Sequence, residues 1–254
     1  MNAPSLEMLY LDDWMVAVNK PAGLMVHRSR LEPRLRYYVL QLIRDRLGLR
    51  VYPVHRLDRP TSGVLLFGLH PTAARRLSRS FAQKAVQKTY LAVVRGHLPA
   101  EGQIDAPLKP DPLRYPRDPR RKEALTRYRL LAAVELPYPV GRYETCRYSL
   151  AAVWPVTGRM HQIRRHFHHI SHPVLGDKKY GDNKHNRFLR ETLGCRRMLL
   201  AAVELRLPHP ADAAAVTLTA RLDEAFGRFL QRLGWQQAVP RQWLPGGCGL
   251  PVAI

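Results

Sequence analysis

Cysteine is scarce in this chain. Cys146, Cys195 and Cys248 lie about fifty residues apart, and no two form a CxxC pair. A disulfide framework and a thiolate zinc site therefore both lack their usual signature, and a reducing cytoplasm fits. Long apolar runs are also missing: nothing approaches the ~18 residues needed to cross a bilayer. The opening MNAPSLEMLYLDDW carries Glu7, Asp12 and Asp13 where a secretory signal would have a basic stretch and then an apolar run, which argues against one. Acidic side chains are few, 20 Asp and Glu against 41 Lys and Arg, for a formal net charge of +21. No internal repeat is visible.

What is present is 254 residues, 46% of them hydrophobic. That suffices for a sizeable core in one domain or two small ones, and it excludes a disordered basic tail. A sequence pI near 10.7 means a surface of mutually repelling cations, tolerated most readily when the partner is a polyanion. Of the 41 basic residues, 33 are arginine. Guanidinium forks match phosphate oxygens and stack on bases, which favours nucleic acid over a generic acidic substrate. GC-rich codon usage offers another source for the Arg:Lys ratio, but it does not account for the net charge.

Along the chain, residues 6–19 read as a hairpin turning at Asp12 and Asp13, stopped by Lys20-Pro21-Ala22-Gly23. Apolar spacing predicts a helix over 34–48 ending at Gly48. Val64 to Leu69 reads as a buried strand, Pro71 as a first helical residue, and Lys88 to Val94 as a returning strand. Six prolines between 97 and 122 make a regular element there improbable, so this stretch is expected to be a surface excursion. Strands are expected at 125–134 and 143–154, then a helix at 159–170 and a Gly/Asp/Asn/Lys-rich loop at 176–186. A short helix ending near Gly194, strands at 198–207 and 214–220, and a closing amphipathic helix at 223–233 complete the series. Strands outnumber helices without βαβ alternation, so the fold class is α+β with a mainly antiparallel sheet.

The densest functional text is His55-Arg56-Leu57-Asp58-Arg59-Pro60-Thr61-Ser62-Gly63, leading straight into the buried strand. Arg56 and Arg59 bring opposite charge to both sides of one carboxylate. Pro60 and Gly63 shape a loop tied to the core, as a placed catalytic group requires. The same residues equally describe a turn in which Asp58 caps its own backbone.

HRLDRPTSGVLLFGL resembles the HRLDxxTSG signature of the RluA-type pseudouridine synthases. WMVAVNKPAGLMVH, QKTYLAVVRG, TGRMHQIRRH and HPVLGDKKYGD are similar to further elements of that family, in the same order, from about residue 14 to 210. VGRYETCRYSL and DNKHNRF look most like the branch that modifies uridine 65 of tRNA. The resemblance implies the family's catalytic fold, a mixed and mainly antiparallel sheet with flanking helices and a central active-site cleft. It also implies a single catalytic domain over 1–254, a monomer in the cytoplasm, without a separate N-terminal RNA-binding module or membrane attachment.

The implied reaction breaks the uracil N1–C1′ bond, turns the base and joins C5 to C1′. The product is an isomer, so neither cofactor nor metal is expected. The leaving group is retained and water would destroy the intermediate, so one carboxylate in a dry pocket suffices where a glycosidase needs two. By the resemblance, Asp58 is that carboxylate, acting at C1′ as nucleophile or at C2′ as base. Arg164 pairs with and orients it, and Tyr90 stacks on the uracil and serves the final C5 deprotonation. Arg56 fills the gap left by the flipped base, whose extrusion costs a few kcal/mol. Leu199 lies beneath the uracil, and His55 and Arg59 complete the substrate contacts. Plainer readings remain for some of these: a strand aromatic for Tyr90, a phosphate clamp for Arg164 and a core residue for Leu199. Relatives often carry Leu-His-Ala where this chain has Leu199-Leu200-Ala201, so Leu200 is left out of the site. The histidines at 161, 166, 168, 169 and 172 lack an HExxH glutamate and neighbouring cysteines and are crowded by arginine, so no metal is assigned to them. Lys178, Lys179 and Lys184 are either backbone contacts or solvated charges. The expected substrate is RNA, specifically tRNA. Another tRNA position, ribosomal RNA, or a silent RNA-binding protein on the same fold are the alternatives.

Overall fold

Asp12 reverses the chain by accepting the N–H groups of Trp14 and Met15 on one carboxylate oxygen, and this turn joins β1 (Glu7–Leu11) to β2 (Met15–Lys20) as the hairpin expected. The computed structural model describes residues 4–28, 36–110 and 120–246, which fall into two compact units. The first comprises residues 1–87, 201–227 and 239–254; the second comprises 88–200 and 228–238.

In the first unit, helix α1 (Val39–Leu47) starts later than apolar spacing suggested and stops at Gly48, whose φ of 67° is the left-handed C-cap conformation. Residues 34 and 35 lie outside the described residues. A short β3 (Tyr52–Pro53) precedes β4 (Ser62–Gly68), which is buried along its whole length. Pro71 does open α2 (Pro71–Ala82), with the His70 ring accepting the Ala73 N–H at its N-terminus. β4 pairs antiparallel with β2 and β3 and parallel with β9 (Leu200–Pro208), which also pairs antiparallel with β10 (Ala215–Thr219). Alternate residues Met15, Ala17, Val64, Leu66, Leu205 and Leu207 share one face with Leu77 of α2 and form this unit's core. α5 (Glu224–Arg232) begins here and ends in the second unit.

The second unit's strands are β5 (Gln87–Arg95), β6 (Glu101–Asp105), β7 (Leu125–Leu136) and β8 (Cys146–Pro155), hydrogen-bonded antiparallel in the order β5-β8-β7-β6. β6 corrects the expectation that 97–122 would lack regular structure. Residues 100–106 contain no proline, Ile104 is buried, and Gly102 lets the Tyr128 ring pass where a Cβ would stand 2.5 Å from its hydroxyl. Residues 111–119 of that excursion are outside the described ones. Helix α3 (Gln162–His169) lays Ile163 and Phe167, four apart, onto Ala92, Val94, Ala151 and Val153. Asp182 caps α4 (Asn183–Glu191) by accepting the N–H groups of Lys184 and His185. The antiparallel pairs, together with the parallel pair β4/β9, make the mixed, mainly antiparallel α+β architecture read from the sequence. Among the described residues no helix is long and apolar enough to cross a membrane.

Candidate active site

The HRLD residues occupy the loop between β3 and β4. Its end is fixed by Gly63, whose φ is +113° and whose absent side chain lets β4 run against β9: a Cβ there would meet the Ala202 carbonyl oxygen at 2.0 Å. The loop turns at Asp58, whose peptide carbonyl accepts the Thr61 N–H at 3.0 Å. The KPAG segment is stitched to it. Gly23 N–H donates to the Arg59 carbonyl at 2.8 Å, and Arg59 Nε donates back to the Gly23 carbonyl at 3.1 Å.

Beneath both segments lies Lys20, fully buried at 0% exposure. Its Nζ donates to the carbonyls of Pro21 (2.9 Å), Leu24 (2.7 Å) and Arg59 (3.2 Å). A buried ammonium is tolerable only when hydrogen-bonded in this way. Lys20 thus ties the aspartate's loop to the preceding turn, a role the sequence reading had not given it. His55 is half-buried, its Nε2 accepting the Leu66 N–H at 3.0 Å and its ring stacked on Phe81 at 4.9 Å. Both contacts hold the start of the loop onto the strand that follows it. Asp58 is half-buried, and Arg56 and Arg59 are exposed.

In the second unit Arg164 is 5% exposed. Its Nε donates to one oxygen of Asp177 at 2.6 Å and its Nη2 to the other at 2.8 Å, a bidentate fork between two buried groups. Asp177 also accepts the N–H groups of Lys179 and Tyr180 on Oδ1. Burial alone would raise the Asp177 carboxyl, but the Arg164 fork and the two N–H donors outweigh it and hold its pKa below the ordinary carboxylate value. The Tyr180 ring lies 5.2 Å from the Arg164 guanidinium, and its hydroxyl is hydrogen-bonded to His161 Nδ1 at 3.1 Å.

The local sequence explains this placement. Gln162, two residues before Arg164, is buried with both ends of its amide used. Its oxygen accepts from Thr157 Oγ1 and the Arg159 N–H, and its nitrogen donates to the Leu125 carbonyl and Thr126 Oγ1. Gly176 has a φ of +81°, and a Cβ there would strike the Arg197 carbonyl at 2.3 Å. Asn186 closes the loop, accepting the Gly176 N–H and donating to the Asp177 carbonyl. Asp177 belongs to the quoted HPVLGDKKYGD segment but carried no assigned role. Tyr90 is half-buried on β5, paired with Val153 and packed against the second unit's core. Leu199 is fully buried at 0% exposure, its carbonyl accepting the Val93 N–H and its N–H reaching the Leu175 carbonyl. The predicted site residues thus divide between the units, Asp58, Arg56, His55 and Arg59 on the first and Arg164, Tyr90 and Leu199 on the second.

The histidine run is used locally. His166 joins Thr126 Oγ1 and the Ala106 carbonyl, His168 the Tyr180 carbonyl, and His172 the Arg95 carbonyl. Among the described residues, no three His, Cys, Asp or Glu side chains gather as a metal site would require. Lys179 and Lys184 enter the structure through backbone N–H groups, on Asp177 and Asp182, with their side chains exposed.

Residues 14–169 match the family model for RNA pseudouridylate synthase. A tRNA pseudouridine synthase C from Haemophilus influenzae is 48% identical over 237 residues, which cover 91% of this chain and 99% of that protein. The protein of the same name from Yersinia pestis is 46% identical over 240 residues, covering 92% and 93%. Among solved structures, human RNA pseudouridylate synthase domain containing 4 matches with a TM-score of 0.69 at 25% identity, covering 90% of this chain and 93% of that one. The chain belongs to the RNA pseudouridylate synthase family, in its RluA-type branch. It is an RNA pseudouridine synthase, an isomerase.

Proposed function

We propose that this synthase acts on tRNA in the cytoplasm and converts uridine 65 to pseudouridine. The observation that carries this is the extent of the match to relatives named tRNA pseudouridine synthase C, at 44–48% identity over 91–92% of this chain. The VGRYETCRYSL and DNKHNRF segments, which resemble the position-65 branch, support the finer assignment.

In this reading the whole chain works as one catalytic domain and a monomer. Asp58 is the essential carboxylate, attacking C1′ or taking the C2′ proton. Arg164, Tyr90, Arg56 and Leu199 have the roles their motifs imply, and His55 and Arg59 belong to the substrate-binding loop. The anchoring of that loop by Lys20 and the Gly23–Arg59 pair supports the reading, because a reacting carboxylate must be held within about half an ångström of its working position. The uracil leaves C1′ through N1 and returns through C5. C5 loses its proton and N1 gains one, so atoms balance without a redox partner.

The test is to incubate the purified protein with unmodified tRNA transcripts and with ribosomal RNA, and to map pseudouridine in each. A single new pseudouridine at position 65 of tRNA is expected. Modification confined to another tRNA position or to ribosomal RNA would overturn the assignment.

A further inference from the structure

We infer that the first unit carries a second RNA contact, a basic groove between the turn after β2, helix α1 and β3 that grips tRNA backbone away from the target nucleotide. The inference rests on the reading that the substrate is tRNA, and it adds to that reading a surface outside the HRLD loop. The groove encloses about 690 Å³ and is lined by four arginines, Arg28, Arg36, Arg44 and Arg50, with the rings of Tyr38 and Tyr52. That volume lies within the ~300–1,000 Å³ span of ligand-binding clefts.

The chain assembles it simply. α1 presents Arg44, Gly48 ends the helix in the left-handed conformation, and the chain returns at once through Arg50 and Tyr52. Charge balance is what singles the groove out. Arg44 shares Asp45 through Nε and Nη2, a pair exposed on both sides. Among the described residues no carboxylate pairs with Arg28, Arg36 or Arg50. Arg36 instead lies 5.6 Å from the Tyr37 ring and Arg50 5.1 Å from the Tyr52 ring.

Like charges gathered around one concavity repel one another, and a polyanion removes that repulsion while releasing its own counterions. Guanidinium forks suit phosphate oxygens, and the half-buried Tyr52 ring suits an unstacked base. His27, on the groove's lining, has its pKa lowered by burial and then by the charge of Arg56, which puts that arginine within electrostatic reach of the groove.

The experiment compares wild type with the double variant Arg36→Gln/Arg50→Gln. Both side chains are exposed, so folding is checked by an unchanged melting temperature. Two quantities are measured: Kd for unmodified tRNA across a salt series, and the single-turnover rate of pseudouridine formation at saturating enzyme. Arg75→Gln/Arg79→Gln, on the exposed face of α2, controls for loss of charge alone. The groove variant should bind tRNA roughly 10- to 100-fold more weakly. Its slope of log Kd against log salt should be shallower by about 1.4–1.8, two phosphate contacts' worth. Its rate at saturation should stay within about twofold. An unchanged Kd and slope, an equal loss in the α2 control, or a defect confined to the saturated rate would each overturn the proposal. Weakened tRNA binding by the variant alongside a wild type that modifies only ribosomal RNA would leave the groove standing as an RNA contact while removing tRNA as the substrate.

Discussion

Two loops, one in each unit, each present an aspartate, and they hold it in opposite ways. Asp58 is half-buried, on a loop immobilised through its backbone by Lys20 and by the reciprocal Gly23–Arg59 pair. Asp177 is 1% exposed and its carboxylate is itself the fastening, taking two guanidinium donors and two peptide N–H groups. A carboxylate used that fully is structural, because any step that moved or protonated it would break the bidentate fork it makes with a buried guanidinium. The contrast fits the proposed reading, in which Asp58 reacts and Asp177 positions, although both lie in motifs of similar density in the sequence.

The sharpest way to break this contrast is Asp58→Asn. The amide keeps the shape and removes the nucleophile or base, so pseudouridine formation should fall by at least ~10⁴-fold, about 5.4 kcal/mol in barrier. RNA affinity and urea stability should stay near wild type. Pseudouridine mapping on tRNA together with a binding curve decides it. Retained turnover would end the assignment of Asp58.

Asp177→Asn should do the reverse. The neutral amide leaves the 5%-exposed Arg164 with a poor partner, and breaking a buried pair from one side costs roughly 3–5 kcal/mol. The expected result is a lower urea midpoint at unchanged m-value, and a fall in kcat larger than any rise in KM. Stability within 1 kcal/mol of wild type would show that Asp177 is not the fastening described above.

Much of this was legible in the sequence where the signal was local. The hairpin at Asp12, the buried run ending in Gly68 and the proline opening α2 each follow from a few neighbouring residues. The β6 strand was hidden because the prolines around it dominate the composition of 97–122, whereas only the alternation ending in buried Ile104 and the partner β7 reveal it. Asp58 could be singled out because its motif is contiguous. Asp177 could not be given a role, since its partner is thirteen residues away and the loop's path depends on Gly176 and Asn186. The cage of carbonyls around Lys20 was equally invisible: one of its three oxygens comes from Arg59, thirty-nine residues on. Backbone partners distant in sequence leave no pattern in the side chains.

Lys20→Met tests the backbone fastening itself. The thioether fills most of the same volume but takes the ammonium donor from the Pro21 and Leu24 carbonyls and leaves the Arg59 carbonyl with the Gly23 N–H, which should cost about 2–3 kcal/mol in urea unfolding. If the loop's rigidity serves Asp58, kcat should drop about tenfold or more while Kd for tRNA barely changes. A stable variant of full activity would show that the loop holds its shape without the ammonium.

The smallest expected effect sharpens the contrast through pH. In the second unit His166 and His185 both have pKa values lowered by burial, so each is held neutral against Thr126 and Ala106 or against Tyr148. A lowered histidine pKa means that the unfolded chain binds the proton more readily. The stabilisation is therefore complete above the unfolded value near 6.5 and declines as pH falls below it, at no more than about 1.4 kcal/mol per pH unit for each group. Asp177 is also lowered and contributes above its unfolded value near 4, so its share is lost only in stronger acid. Urea unfolding at pH 7 and pH 5 should thus show a loss before any carboxylate titrates, and His185→Gln, which cannot take up the proton, should flatten part of it. A wild-type stability that is flat or rising towards pH 5 would mean that these rings accept a proton in place, and that the second unit's interior is wetter than its packing implies.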